Sequence, residues 1–520
     1  MSGLVWGALL RMLQSFLQGS PFIFTGLCIA GMLSRLMGHA DTKRLFGSNS
    51  VSSLVQSWFI GMLLPGCSLG VIPICRQMRA SGIAIGTIFA FALSSPLFDP
   101  LSLLYGLTLS KPFTILAFAT CSLVVVTLSG AIFDWLYPNT EVQVPEPAAV
   151  PYGIKRILAI GVEMAYETVG GSAALIGIGI LGVGLLAIIL PAGSLQRTMA
   201  HDNPWSPMIM TGIAIPAYAT PMTAMGQLGS MFQHGNSIGA AFILLTFGAG
   251  MNLGLVAWMW LNYGWRKLAV WFGLMLLIVV GLSYGIERPL YPPDIEPANH
   301  THAFDGYCAP FFHNSPPTEG FLVEIGRRIR NGTQPHEWFG AAVLIVLATV
   351  GGVLRVFDPS RKFQAWLVRR IPEESGRMSP RYDVIVPGPV LAIVGLAGIV
   401  IMSVVGCFTY YPEPNETLEE LSIARTEVVS AAFSGNHKHA LDWIPVCESW
   451  NRRLIVGTYL RRFKVSDYHL MKSRLLQNRL EQLEHAIQDH VDPSEIRTLS
   501  HATSRAFTLL SLAYHSEPID

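Results

Sequence analysis

Residues 61–100, GMLLPGCSLGVIPICRQMRASGIAIGTIFAFALSSPLFDP, set the first limit on how this chain folds. The run is apolar enough to lie in a bilayer, yet Pro65, Gly66, Gly70 and Pro73 crowd its middle. Proline removes a backbone donor and clashes with the preceding turn, and glycine loses backbone entropy, so one regular helix is excluded. In hydrocarbon an opened backbone survives only where protein buries it or where it lines a wet cavity. Discontinuous helices of this kind hold the solute in membrane transporters.

Composition agrees with a membrane setting. Of the 520 residues, 51% are hydrophobic and 13% charged, against roughly 25% charged in soluble domains. Mean hydropathy is +0.44. A net charge of +1 gives no electrostatic reason to expect a nucleic-acid partner. The cysteines, at 28, 67, 75, 121, 308, 407 and 447, form no CxxC pair and no zinc-type spacing. Residues 1–20 lack a basic start and a small-residue cleavage site, so no removable signal peptide is expected. No nucleophile elbow, P-loop, HExxH or strand-borne GxGxxG is present, so neither an enzyme nor a cofactor is expected. Without an ATP-binding module, transport would be driven by an ion gradient or an unseen partner.

Apolar stretches of span length fall at 15–37, 53–75, 82–109, 113–136, 170–190, 207–225, 235–261, 268–284, 338–356 and 384–408. They predict an all-α polytopic membrane protein built from transmembrane helices. Residues 154–166 read as an amphipathic interfacial helix, and 138–151 (PNTEVQVPEPAAVP) as a proline-rich linker. The linker separates two halves, 1–137 and 152–286, that carry an internal repeat. One constant offset sets Gly82, Gly86, Phe89 and Asp99 on Gly235, Gly239, Phe242 and Asn252, and Met78 on Met231. With a small shift, Pro65 and Pro73 meet Pro216 and Pro221. Close helix packing would explain the small residues alone. It would not explain paired prolines and a paired polar residue, which point to a transport site. Parallel and inverted repeats both remain open, depending on whether one broken segment in each half is re-entrant.

Lysine and arginine set the expected orientation. Loop 357–383 holds Arg361, Lys362, Arg369, Arg370, Arg377 and Arg381, which makes it cytoplasmic. Loop 287–337 and everything after 410 then lie on the extracytoplasmic side. If all ten stretches cross, Arg76, Arg79, Lys155 and Arg156 count against this arrangement. Residues 338–410 supply two further spans around the basic loop. Residues 411–520 read as a soluble helical bundle, with Thr417 capping its first helix. Further helices are expected at 438–463 and 466–490, and a last one from Asp492, where Pro493 takes the first helical position and Glu495 closes a capping box.

The expected substrate site has two sides. Pro65, Cys67, Ser68, Gly70 and Pro73 shape one, and Pro216, Tyr218, Thr220 and Pro221 the other, with Asp99 and Asn252 as polar partners. Inserting a carboxylate such as Asp99 costs roughly 2.5–3.5 kcal/mol, which makes it a functional candidate; a helix cap is the competing reading. Cys67 offers a soft ligand to a thiophilic solute, against the plainer role of a small buried hydrophobe. In loop 287–337, His300, His302, Cys308 and His313 stand close enough to share a zinc or copper ion, or are ordinary loop residues. A Cys308–Cys447 disulfide is a further expectation for an oxidising compartment.

The PGCSLGVIP run followed by RASGIAIGTIFAFALSSP, and AIPAYATP with GNSIGAAF in the second half, resembles the predicted permease family that includes organoarsenical efflux permeases. The resemblance implies a permease of the bacterial inner (plasma) membrane, with trivalent organoarsenicals as substrates of some members. Leu69 stands where many relatives have a second cysteine, so a Cys-x-Cys clamp is not carried over. The function expected is transport of a small molecule or ion, by efflux, through a central site formed by paired broken helices. The alternative is a membrane-anchored sensor or metal-handling protein that uses the loop and the bundle.

Overall fold

The computed structural model describes residues 2–47, 50–109, 112–138, 154–191, 193–195, 198–291, 303–311, 320–368 and 386–516. Among these residues every regular element is a helix. The chain divides into two compact units, Met1–Leu103 with Phe113–Met402, and Leu104–Pro112 with Ser403–Asp520.

In the first unit, α1 (Ser2–Met32) continues through a π-helical turn (Leu33–Met37) into α2 (Gly38–Phe46), well beyond the expected 15–37. There follow α3 (Val51–Leu63), α4 (Val71–Ala80), α5 (Ile85–Ser94), α6 (Pro100–Leu109) and α7 (Pro112–Leu136). The expected spans 53–75 and 82–109 are therefore each two helices. Pro73 does not open the backbone, contrary to expectation. It lies in the first turn of α4, where the missing donor has no intrahelical partner to lose.

Side-chain contacts fix the directions. The Ser53 and Thr87 hydroxyls meet at 2.9 Å and Gly61 abuts Ser94, so α3 and α5 run parallel. Since α4 ends just before α5 begins, α3 and α4 form a hairpin that leaves by the end it entered. Helices α5 and α6 then carry the chain onward. Helix α7, with 25 residues and a length of about 37 Å, brings it back, and Asp134 in its last turn accepts the Gly86 N–H at 2.8 Å.

The second half contains α8 (Ile154–Thr168), α9 (Gly171–Ile189), α10 (Ser206–Ala214) and α11 (Pro221–Gln233). Next come α12 (Ile238–Ile243) with its π-helical continuation (Leu244–Ala249), α13 (Leu253–Tyr263) and α14 (Trp265–Leu290). Glu287 of α14 accepts the Gly239 N–H at 2.6 Å and the Ile238 N–H at 3.2 Å. This is the Asp134–Gly86 contact moved by the constant offset. The second hairpin, however, enters from the opposite end. Helix α9 is antiparallel to α1: Gly184 lies against Met12, whereas Gly179 lies against Leu69, whose neighbour Gly70 meets Gly26 of α1. Arg79 donates to Asn262 at 2.7 Å and Lys267 sits over the Tyr137 ring at 5.4 Å. The end of α13 and the start of α14 thus lie where α7 finishes.

After α15 (Phe321–Gly332), helix α16 (Pro335–Phe357) runs past Pro21 at Gly340 and Ala165 at Gly351. Helices α17 (Lys362–Val368) and α18 (Gly388–Tyr410) complete this part. Lys155 lies over the Trp366 ring at 4.6 Å and Arg156 donates to the Val386 carbonyl at 2.6 Å. Arg79, Lys155 and Arg156, which conflicted with ten crossings, therefore gather at the end that also holds Lys267 and Arg361. Arg76 is paired with Glu167 at 2.8 Å. Among the described residues six helices are long and apolar enough to cross a bilayer, and the pair Ile238–Ala249 and Leu253–Tyr263, bent by 60° at its break, is long and apolar enough only when taken together.

Helix α15 carries a pH-sensitive contact. Burial pushes the Glu324 carboxyl up, but Arg327 at 2.7 Å and Arg328 at 2.8 Å outweigh it and bring it to about 2. A depressed carboxylate stabilises the fold above its unfolded value of about 4.3 and loses that contribution as pH falls toward the folded one. Hydrogen exchange in 321–332, corrected for intrinsic rate, is expected to quicken stepwise between about pH 4.5 and pH 2. Glu324→Gln should flatten that dependence.

The second unit contains α19 (Pro414–Ser434), α20 (His437–Arg462), α21 (Asp467–Gln488) and α22 (Pro493–Ser516) around Leu421, Val428, Leu454, Leu476, Leu480 and Leu510. Thr417 is not its first cap. Glu413 holds that position, Pro414 opens the helix, and the Thr417 hydroxyl donates to the Glu413 carbonyl at 2.9 Å. Asn436, Ser466 and Asp492 cap the other three, each accepting a first-turn N–H. Tyr105, in the part of α6 that belongs to this unit, stacks on Tyr411. The expected Cys308–Cys447 disulfide is absent. Both thiols are free, and Cys447 is enclosed in the bundle core.

Candidate functional site

Four openings interrupt the helices of the first unit, at 64–70, 95–99, 215–220 and 250–252. Within the first half, the Ser95 hydroxyl donates to the Leu64 carbonyl at 3.4 Å. Within the second, the Ala219 N–H donates to the Gly248 carbonyl at 3.0 Å. The halves also meet each other. Leu69 and Asn252 both press on Gly179 of α9, while the Pro216 carbonyl and Leu253 press on Gly182 one turn on. Leu93 reaches Gly250. On the other flank, α1 touches the first opening backbone to backbone, Gly26 against Gly70.

Cys67 and Tyr218 come together at this crossing, in one apolar cluster with Ile23, Leu27, Leu69 and Val183. The Cys67 sulfur accepts the Gly70 N–H at 3.3 Å and so closes its own turn. The Tyr218 hydroxyl lies beside that thiol and against Gly19, short of full hydrogen-bond geometry and with no other partner. Ser68 is fully buried, and its hydroxyl is likewise unpartnered. Pro65 and Pro216 stand in the openings, and Gly70 fits against the Phe22 carbonyl.

Asp99 and Asn252 are the same device twice. Asp99 accepts the Ser102 N–H at 2.6 Å while the Ser102 hydroxyl takes the Asp99 N–H. Asn252 accepts the Leu255 N–H at 2.9 Å. Each caps the helix that follows its opening. The cap also orients the Asn252 amide. With its oxygen engaged, the unpartnered atom is Nδ2, a donor. Thr220 caps α11 through the Thr223 N–H at 3.2 Å, with Pro221 at the first helical position. No lysine or arginine occurs in the four openings.

Residues 7–287, more than half of the chain and all four openings, match a family model described as predicted permease (ArsP_1). The chain belongs to that predicted permease family. Two curated relatives match shorter stretches. UPF0718 protein YcgR of Bacillus subtilis (strain 168) is 26% identical over 87 residues, 17% of this chain and 30% of that protein. "Putative two-component membrane permease complex subunit" of Streptococcus mutans serotype c (strain ATCC 700610 / UA159) is 21% identical over 91 residues, 18% of this chain and 30% of that one. The matched part is thus under a third of either relative's length. No solved structure matches. With its apolar helices, this chain is a multi-pass membrane protein of that family.

Three members of the expected metal cluster in the permease, His300, His302 and His313, lie outside the described residues. Cys308 is buried, and its carbonyl accepts from the Arg11 guanidinium at 3.3 Å. Among the described residues no group of three or more His, Cys, Asp or Glu could hold a metal ion. The sequence reading missed Gly179, Gly182 and the pair Asp134 and Glu287. Small residues three apart on an apolar helix were a usable signal for the glycines, and the constant offset was one for the carboxylates.

Proposed function

We propose that this permease moves a small solute through the crossing of the four openings, and that its halves are an inverted internal repeat. The observation that carries this reading is the meeting of Cys67 from one half with Tyr218 from the other. Around it three buried groups keep open valences, the Ser68 and Tyr218 hydroxyls and Asn252 Nδ2, and all three can donate. Buried polar groups are normally satisfied, so unpaired ones at a shared point mark a place where something else binds. Donors without a cation, set among apolar side chains, favour a small uncharged solute that carries oxygen. The Cys67 thiol favours a thiophilic one, such as a trivalent organoarsenical. Two hairpins entering from opposite ends would expose such a site alternately. The basic end would be cytoplasmic, placing the protein in a bacterial inner membrane with residues 411–520 outside and efflux as the direction.

Uptake of a trivalent methylated arsenical into proteoliposomes tests this. Tyr218→Phe and Cys67→Ser should each slow transport about tenfold, the effect of losing one buried polar contact. Asp99→Asn should transport nearly as wild type, because asparagine caps as well as aspartate. Wild-type rates in both Tyr218→Phe and Cys67→Ser would remove the crossing as the site.

A further inference from the structure

We propose that residues 303–311 are a plug that closes the end of the permease where α1 begins, latched by Tyr307 onto α11. Connecting segments run over surfaces because their backbone groups need water. This one does the opposite. Ala303, Phe304, Tyr307, Cys308 and Phe311 are all buried.

Three core elements hold it. The Ala309 N–H donates to the Leu190 carbonyl at the end of α9, at 3.0 Å. Arg11 of α1 donates to the Cys308 and Asp305 carbonyls, and Pro310 sits on Gly7. The Tyr307 hydroxyl donates to Gln227 Oε1 at 2.8 Å, with both side chains buried. Gln227 belongs to α11, the returning arm of the hairpin that enters from this same end. The latch therefore joins the segment to the element that the transport reading requires to move. Its polar anchors are few and divided among the three elements, so motion of one element releases its own anchor without the others. Swinging α11 would break the Tyr307–Gln227 bond and free the segment, opening a path from the crossing.

The inference rests on the transport reading, but its test needs no substrate. Cys308 lies inside the plug, and its labelling by a membrane-impermeant maleimide can be followed by peptide mass spectrometry, with the wild-type protein in nanodiscs that expose both faces. Cys308 is expected to react far more slowly than in urea-unfolded protein. Tyr307→Phe should speed labelling about tenfold, and Gln227→Leu should act in the same direction if the first variant folds poorly. The Ala309 amide should be protected from exchange in the wild type. Labelling of native Cys308 as fast as in unfolded protein, or no change in either variant, overturns the plug. Loss of the transport prediction with this labelling pattern intact would remove the central site and leave the closure.

Discussion

Gly26→Val will leave little folded protein in the membrane. A Cβ at Gly26 would run into the Gly70 backbone, and one at Gly70 would run into the Phe22 carbonyl. Overpacking against side chains costs about 1–3 kcal/mol because the neighbours rotate away. Here both obstacles are backbone, one of them in an opening whose turn is already closed by Cys67, so the cost should exceed about 3 kcal/mol, in the range that marks a specific steric failure. Gly254→Val should behave alike, since a Cβ there meets the Leu175 carbonyl. Gly177→Ala is the control. Nothing lies within 4 Å of its Cβ position, and alanine is the better helix former by about 1 kcal/mol. Melting temperature and the monodisperse fraction after extraction read all three. A Gly26→Val protein that melts with the wild type would mean that α1 and the first opening are not in contact.

The openings differ in how plainly the sequence shows them. Pro65 with Gly66 and Pro216 announce two of them, because proline cannot be accommodated deep in a helix. At 95–99 Pro96 is as visible, but the surrounding apolar run was long enough to read as one span. At 250–252 there is no proline. That break is made by a π-helical turn followed by the Asn252 cap, and a cap inside an apolar stretch looks like any buried polar residue. Pro73 was the reverse case, a breaker by type that sits harmlessly in a first turn. Direction was hidden for a different reason. Hydropathy measures length, and a hairpin of two short helices is as long and as apolar as a crossing. Against ten crossings the sequence offered only the placement of Arg76, Arg79, Lys155 and Arg156. The meeting of Cys67 with Tyr218 depends on distant parts of the chain and left no local mark.

Glu287→Ala is expected to be the most damaging single carboxylate loss in the permease. Glu287 receives three donors, the Ser237 hydroxyl at 2.7 Å, the Gly239 N–H at 2.6 Å and the Ile238 N–H at 3.2 Å. All three surround the start of α12, whose first turn has no intrahelical partners for its N–H groups. Glycine at 239 is what lets the carboxylate approach, since a Cβ there would meet Glu287 Oε2 at 2.8 Å. Hydrogen bonds to a charged group contribute about 1.5–3 kcal/mol each and do not add fully, so alanine should cost about 3–5 kcal/mol. Asp134→Ala removes the corresponding contact in the first half, but Asp134 serves the Gly86 N–H alone, and Ala84 stands where Ser237 supplies a hydroxyl. Its loss should cost about 1.5–3 kcal/mol. Glu287→Gln keeps an acceptor and loses only the charge facing the helix start, worth up to about 2 kcal/mol. Thermal denaturation in one detergent should therefore rank the variants as Glu287→Gln, then Asp134→Ala, then Glu287→Ala, from mildest to worst. If Asp134→Ala proves worse than Glu287→Ala, the number of donors held does not set the strength of these anchors. The starts of α5 and α12 would then owe their stability to something other than the carboxylates that hold them.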